Sequence, residues 1–256
     1  MYVCGVKKLI SILLVILIIG CTNTEREKRI LIDEITIKND SLFGFFEKFH
    51  DNGTLSYQGF YINGLKNGIF KKFHYNGLLH YKGIYINGEK EGLFMKWYEN
   101  GKLSDKKYYK RSHWNGPWTK WHDNGKLYSY TDYVNGLKYG EYKRWHENGE
   151  IEREGGYKND IKEGEWKKYN NSGKLVSQRF YINGMEDGIH QGWYENGELK
   201  YERSYRAGIK EGAFKKYNHN GTILYEGSYE NDLKKGLWKK YNESGDLLYI
   251  QNYKID

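Results

Sequence analysis

The chain has 256 residues and a formal net charge of +8. With 31 Gly, 26 Tyr and 8 Trp against a single proline, Pro117, the composition excludes an ordinary aliphatic core. It points to short strands joined by tight turns. The mildly basic balance fits anionic lipid headgroups or an acidic protein partner, and no nucleic acid is required to explain it.

Residues 1–20 read as an export signal. Lys7 and Lys8 supply a positive start, and residues 9–20 form an apolar run of twelve, shorter than the roughly 20 residues a spanning helix needs. The following Ile18-Ile19-Gly20-Cys21 resembles a bacterial lipobox. That resemblance implies cleavage before Cys21 and lipid attachment to it. It also implies residence in the cell envelope, at the outer membrane where the cell has one, because Thr22 rather than Asp follows. Cys4 leaves with the signal, so the exported part keeps no disulfide. Without Lys7 and Lys8 the net charge is +6. Residues 21–29 are polar and read as a tether. Residues 30–43 read as a lone capping strand, with Leu31, Ile37 and Asn39-Asp40 in step with the 24-residue columns downstream.

From residue 44 to 256 the chain repeats. Glycines recur every 24 residues from Gly44 through Gly68 to Gly236. A second column holds Gly53, Gly77, Gly101, Gly125, Gly149, Gly173, Gly197, Gly221 and Gly245. A third holds Tyr61, Tyr85, Tyr109, Tyr133, Tyr157, Tyr181, Tyr205, Tyr229 and Tyr253. The spacing gives nine 24-residue units without an insertion. Each unit carries two turn signals. The first is Asn-Gly, relaxed to Ser172-Gly173 and Ser244-Gly245. The second is looser, from Asn63-Gly64 to Asn159-Asp160, Ala207-Gly208 and Arg111-Ser112. Two turns per unit leave two strands of about six to eight residues. No helical period is present after residue 24. The expected fold is all-β: a repetitive antiparallel β-hairpin meander forming a single elongated twisted sheet, on the order of 80–90 Å long.

The Y-x-x-N-G-x-L and Y-x-N-G-x-x-x-G patterns resemble MORN repeats, in the shorter bacterial variant, over residues 44–253. Leucine-rich repeats need more Leu per unit, and choline-binding repeats are shorter. The resemblance implies a non-enzymatic repeat scaffold. Such bacterial proteins are often labelled antitoxins of the YwqK type, which implies neutralisation of a toxin. An exported, lipid-anchored form would be an immunity protein that meets its protein partner at the membrane.

Two aromatic columns run along the units, one from Phe46 and Phe70 to Trp238, the other from Phe49 and Phe73 to Tyr241. They stand three residues apart, so strict alternation puts them on opposite faces and a bulge puts them together. Between them lie Lys48, Lys72, Lys96, Lys120, Arg144, Lys168, Lys216 and Lys240, broken only at Gly192. This ladder either covers rings with its stems or presents an anion-facing stripe. It makes these residues the candidate binding set. His50, His74, His122 and His146 share a column, but rungs about 10 Å apart cannot converge on one metal. No catalytic motif, metal signature or cofactor loop is present. The alternative to a protein-binding scaffold is an envelope module contacting anionic lipid or glycan. Units three and seven are irregular, marking a bend, a contact or drift.

Overall fold

The computed structural model describes residues 43–254. The signal segment, Cys21, the tether and all but the last residue of the expected capping strand lie outside the described residues. The strands are β1 (Gly44–Phe49), β2 (Leu55–Ile62), β3 (Leu65–Phe73), β4 (Leu79–Ile86), β5 (Glu89–Trp97), β6 (Leu103–Lys110), β7 (His113–Trp114), β8 (Gly116–Trp121), β9 (Leu127–Val134) and β10 (Leu137–Trp145). They continue with β11 (Ile151–Lys158), β12 (Ile161–Tyr169), β13 (Leu175–Ile182), β14 (Met185–Trp193), β15 (Leu199–Arg206), β16 (Ile209–Tyr217), β17 (Ile223–Glu230), β18 (Leu233–Tyr241) and β19 (Leu247–Tyr253). All belong to one 19-stranded antiparallel sheet in which each strand pairs with its chain neighbours. This is the expected meander. Its one departure is in unit three, where β7 and β8 are two pieces of what is elsewhere a single strand. The break falls at Asn115, whose N–H bonds to the Tyr108 carbonyl just before Gly116 and Pro117.

The two turns differ. At the second, Asn87 and Gly88 have φ of 49° and 82°, and Ile86 pairs directly with Glu89. Positive φ at both central residues is the two-residue hairpin turn whose twist matches the strands. The looser residues there adopt the same conformation, Arg111 at 47° and Ala207 at 48°. At the first turn Gly77 has φ of 82° while Asn76 is not left-handed. The Gly77 N–H bonds to the His74 carbonyl at 2.9 Å, and the His74 N–H to the Leu78 carbonyl at 2.8 Å. This is the longer loop with one left-handed glycine. Only that position demands Gly, which explains its unbroken column.

The first-turn asparagine does more than turn. Its Oδ1 accepts from the N–H two residues on, as at Asn76–Leu78, 3.0 Å. Its Nδ2 donates to the next unit's turn: Asn76 to Glu99 O, 2.8 Å, Asn100 to Asp123 O, 3.0 Å, and Asn220 to Glu243 O, 3.0 Å. The histidine column bridges units the same way. The Nε2–H of His74 donates to Trp97 O at 2.8 Å, and Tyr98 O–H serves in its place toward Trp121 O at 2.6 Å.

Register assigns the faces. On β3 and β4, Phe70 stands opposite Gly83, Lys72 opposite Tyr81 and Gly68 opposite Tyr85. Between β4 and β5, Lys82 pairs with Met95 and Ile84 with Glu91. Gly92, Leu93 and Phe94 therefore all face Gly83. Two extra residues leave the alternation intact, so Lys90, Phe94 and Lys96 share a face with Tyr81 and Tyr85. Phe73 belongs to the other face. The second aromatic column confirms this through its hydroxyls, which donate to acids there: Tyr169 to Glu154, 2.7 Å, and Tyr241 to Glu226, 2.7 Å. The two aromatic columns lie on opposite faces.

The core is a zipper of rings on one face. Tyr61–Phe70, Phe70–Tyr85, Tyr85–Phe94 and Phe94–Tyr109 have centroids 5.2, 5.3, 5.4 and 4.8 Å apart, all edge-to-face. Such pairs add about 0.5–1.5 kcal/mol each beyond area burial. No second layer covers them, yet Phe94 is only 3% and Trp166 5% exposed. Part of the reason lies beneath Phe70, Phe94, Trp166 and Trp238, each of which packs on a glycine. A Cβ built on Gly83 would stand 2.2 Å from the Phe94 ring, and one on Gly155 2.3 Å from Trp166. These four rings lie on a glycine shelf, and the rest of their cover comes from above.

Candidate interaction face

That cover is lysine. Lys66 Nζ stands 5.1 Å from the Phe70 centroid and 5.0 Å from Tyr85. Lys162 is 4.6 Å from both Trp166 and Tyr181, and Lys234 is 4.3 Å from Trp238 and 5.0 Å from Tyr253. Lys90, Lys138 and Lys210 repeat the contact. This column, two residues past the second turn, was not among the sequence candidates. Its signal was there: a lysine two residues before the unit-initial glycine in most units. Each ammonium over a ring face contributes about 0.5–1 kcal/mol where exposed.

The sequence-predicted ladder lies on the same face. Lys48, Lys72, Lys96, Lys120, Lys168, Lys216 and Lys240 stand in register with the neighbouring strands' residues at the Tyr57 and Tyr81 column. Lys120 and Lys240 also sit over rings, Tyr128 at 5.3 Å and Tyr225 at 5.6 Å. Arg144 is held by Glu152 in a two-pronged pair, Nη2 to Oε1 2.8 Å, and its pKa is raised by that bond. Gly192 interrupts the ladder because the Tyr201 ring occupies its space, 2.4 Å from where a Cβ would be. A third line of cations, Lys107, Arg179 and Arg203, replaces the shelf glycine in the middle units.

The two faces differ in charge. Among the described strand positions, the acids that reach the ring face are Asp105, Glu186 and Glu152, the last from the register shift beside Arg153, where it holds Arg144. Asp105 accepts from Trp118 Nε1 at 3.0 Å, and Glu186 pairs with Arg179 at 2.9 Å. The other face interleaves both signs: Lys143 with Glu141, Lys167 with Glu165 at 2.6 Å, Lys239 with Glu226 at 3.0 Å. It also exposes an aliphatic column just past the second turn, including Leu65, Ile161 and Leu233. The ring face can therefore attract an extended anionic surface, and the other face has no such bias.

The irregular units are repacked within the sheet. In unit three Lys107 lies 3.9 Å over Trp118 and 3.8 Å from Asp105, and burial lowers its pKa. In unit seven His190 takes the ring position, 3% exposed, 4.3 Å from the Tyr205 ring. Burial pushes its pKa below the ordinary 6.5, against the opposing pull of Glu186, 3.5 Å away. The unfolded chain thus binds this proton at a higher pH than the folded one. Stability from His190 is full above pH 6.5 and is lost as the pH falls below it. The thermal midpoint should drop between about pH 7.5 and 5.5, and His190→Phe should flatten that slope when midpoints are compared across the range. A slope unchanged in the variant would dismiss the effect. His80, lowered by burial and by His74, keeps its own share.

No group of His, Cys, Asp and Glu among the described residues could hold a metal. No helix long and apolar enough to cross a membrane is present among the described residues.

A family model described as MORN repeat variant matches residues 46–63, 90–111, 114–135, 138–159, 162–183, 186–207, 210–231 and 234–254. No curated protein matches the chain. Among solved structures, the Photorhabdus luminescens Tc holotoxin pore and a TcdB2–TccC3 complex are each 10% identical over 77% of this chain, with a TM-score of 0.19. The chain spans 14% of the length of those chains.

Proposed function

The chain belongs to the MORN repeat variant family, whose repeats mediate protein and membrane contacts, and from that membership we propose a scaffold that docks an acidic protein along its ring face. The reading includes a lipid on Cys21 that holds the scaffold at the cell envelope, and a toxin as the partner that it neutralises. The observation that supports it is the segregation of charge. Among the described residues the ladder and the ring-covering lysines share one face with few acids, Asp105, Glu152 and Glu186, each engaged by a neighbouring side chain, while the opposite face interleaves both signs.

Retrieval of the Cys21-anchored chain from native membranes tests it. A specific acidic protein should co-purify. Lys72→Glu with Lys96→Glu and Lys120→Glu should reduce its recovery at least tenfold. Lys71→Glu with Lys106→Glu, on the other face, should leave recovery within about twofold. Equal recovery with both variants would dismiss the ring face as the docking surface. Recovery of anionic lipid alone, lost at about 0.5 M salt where screening is short-ranged, would replace the protein partner with a membrane.

A further inference from the structure

On the ring face the residue between successive rungs differs from unit to unit. In the outer units a tyrosine stands between successive rungs: Tyr81 is opposite both Lys72 and Lys96, Tyr57, Tyr201, Tyr225 and Tyr249 hold the equivalent position, and the opening beside Tyr57 and Tyr81 is walled by rings as well as lysines. The middle units have Asp105, Ser129, Arg153 and Ser177 there. Lys168 stands opposite Arg153 on one side and Ser177 on the other. Around it a pocket of about 230 Å³ opens, walled by Arg153, Lys162, Trp166, Lys168, Ser177 and Arg179.

Its charge is unbalanced. Glu186 is engaged by Arg179 at 2.9 Å, and Glu152 by Arg144 at 2.8 Å, reaching Arg153 only at 4.0 Å. Among the described residues no carboxylate lies within ion-pair distance of Lys162 or Lys168. We infer that this pocket binds a phosphate monoester. Two guanidiniums, an ammonium and the Ser177 hydroxyl offer donors from several sides, which suits a tetrahedral dianion better than a single carboxylate. The size admits a phosphoryl group and a short stem. A stacked base is disfavoured because Lys162 already covers the Trp166 ring at 4.6 Å.

The inference rests on reading the ring face as anion-facing, and calorimetric titration of the full chain with O-phosphoserine separates the two. One saturable site is expected, with no response to serine. Ser177→Tyr, which restores the residue type of the outer units and should fold, is expected to weaken binding at least tenfold, as is Lys168→Gln. Lys72→Gln with Lys96→Gln should change it less than twofold. The indole N–H resonance of Trp166 should shift with occupancy. No saturable binding, or equal weakening by the Lys72 and Lys96 changes, would overturn the pocket. If the monoester fails to bind while an acidic partner is still retained through Lys72, Lys96 and Lys120, only the pocket falls. If the monoester binds and no partner is retained, only the docking reading falls.

Discussion

Gly155→Ala should destabilise the protein by about 1–3 kcal/mol, although it adds a single methyl group to a strand. The backbone at Gly155 is not left-handed, so alanine itself fits the strand conformation. What it meets is Trp166, whose ring atoms from Cγ to Cε2 lie 2.3 to 2.7 Å from the added carbon. These are the near atoms of a rigid ring that is 5% exposed, so the indole must lift from the sheet. Denaturant titration should show a lower midpoint with an unchanged slope, and the tryptophan emission should move to the red. Trp166→Ala alone should cost about 3–5 kcal/mol. In that background Gly155→Ala should cost less than about 0.5 kcal/mol, because a glycine in a strand interior has no other claim on the position. The column already holds side chains where the geometry permits, as at Thr131 opposite Tyr142. Equal cost in both backgrounds would show that the backbone, and not the ring, requires glycine.

The asparagine bridge gives the second large effect. Asn124 Nδ2 donates to Glu147 O at 3.1 Å, and its Oδ1 accepts from Lys126 N–H at 2.8 Å. Asn124→Asp keeps the acceptor, removes the donor and sets a carboxylate against a carbonyl oxygen. A cost of about 1–2 kcal/mol is expected, from the lost bond and the repulsion together. Asn76→Asp and Asn100→Asp should behave alike, and the three combined should lower the thermal midpoint by more than any one. The deficit relative to the parent should shrink as the pH falls through the carboxyl range near 4, since a protonated Asp regains an O–H donor. A deficit that stays constant with pH would mean that the side chain acts only within its own turn.

These two positions mark what the sequence made legible and what it did not. The 24-residue period, the strands and the turns were readable from composition and spacing, because Asn, Gly and aromatic residues each answer a local backbone requirement. The reasons for particular columns were not, because their partners lie elsewhere in the chain. Gly83 is glycine on account of Phe94, eleven residues later and across two extra residues that no pattern announces. Asn76 is strict partly on account of Glu99, 23 residues away in the next unit. The charged ladder was visible as a column. Its face was not, because three-residue spacing alone does not say whether a bulge intervenes. The lysines at Lys66 and Lys162 were overlooked because nothing local distinguishes a lysine above a ring from one in water.

The unit-to-unit contacts have one further consequence. Except at Ser172, the asparagine bridges among the described residues join a turn to the same turn one unit on, and the alternation of faces returns in phase every 24 residues. Excising or duplicating one regular block would leave its junctions with partners of the kind they already have. Stability in such an array grows by nearly equal steps with each unit. The span of the basic face is therefore a dial that recombination could turn by whole units, lengthening or shortening the scaffold's reach while the chemistry at each rung stays the same.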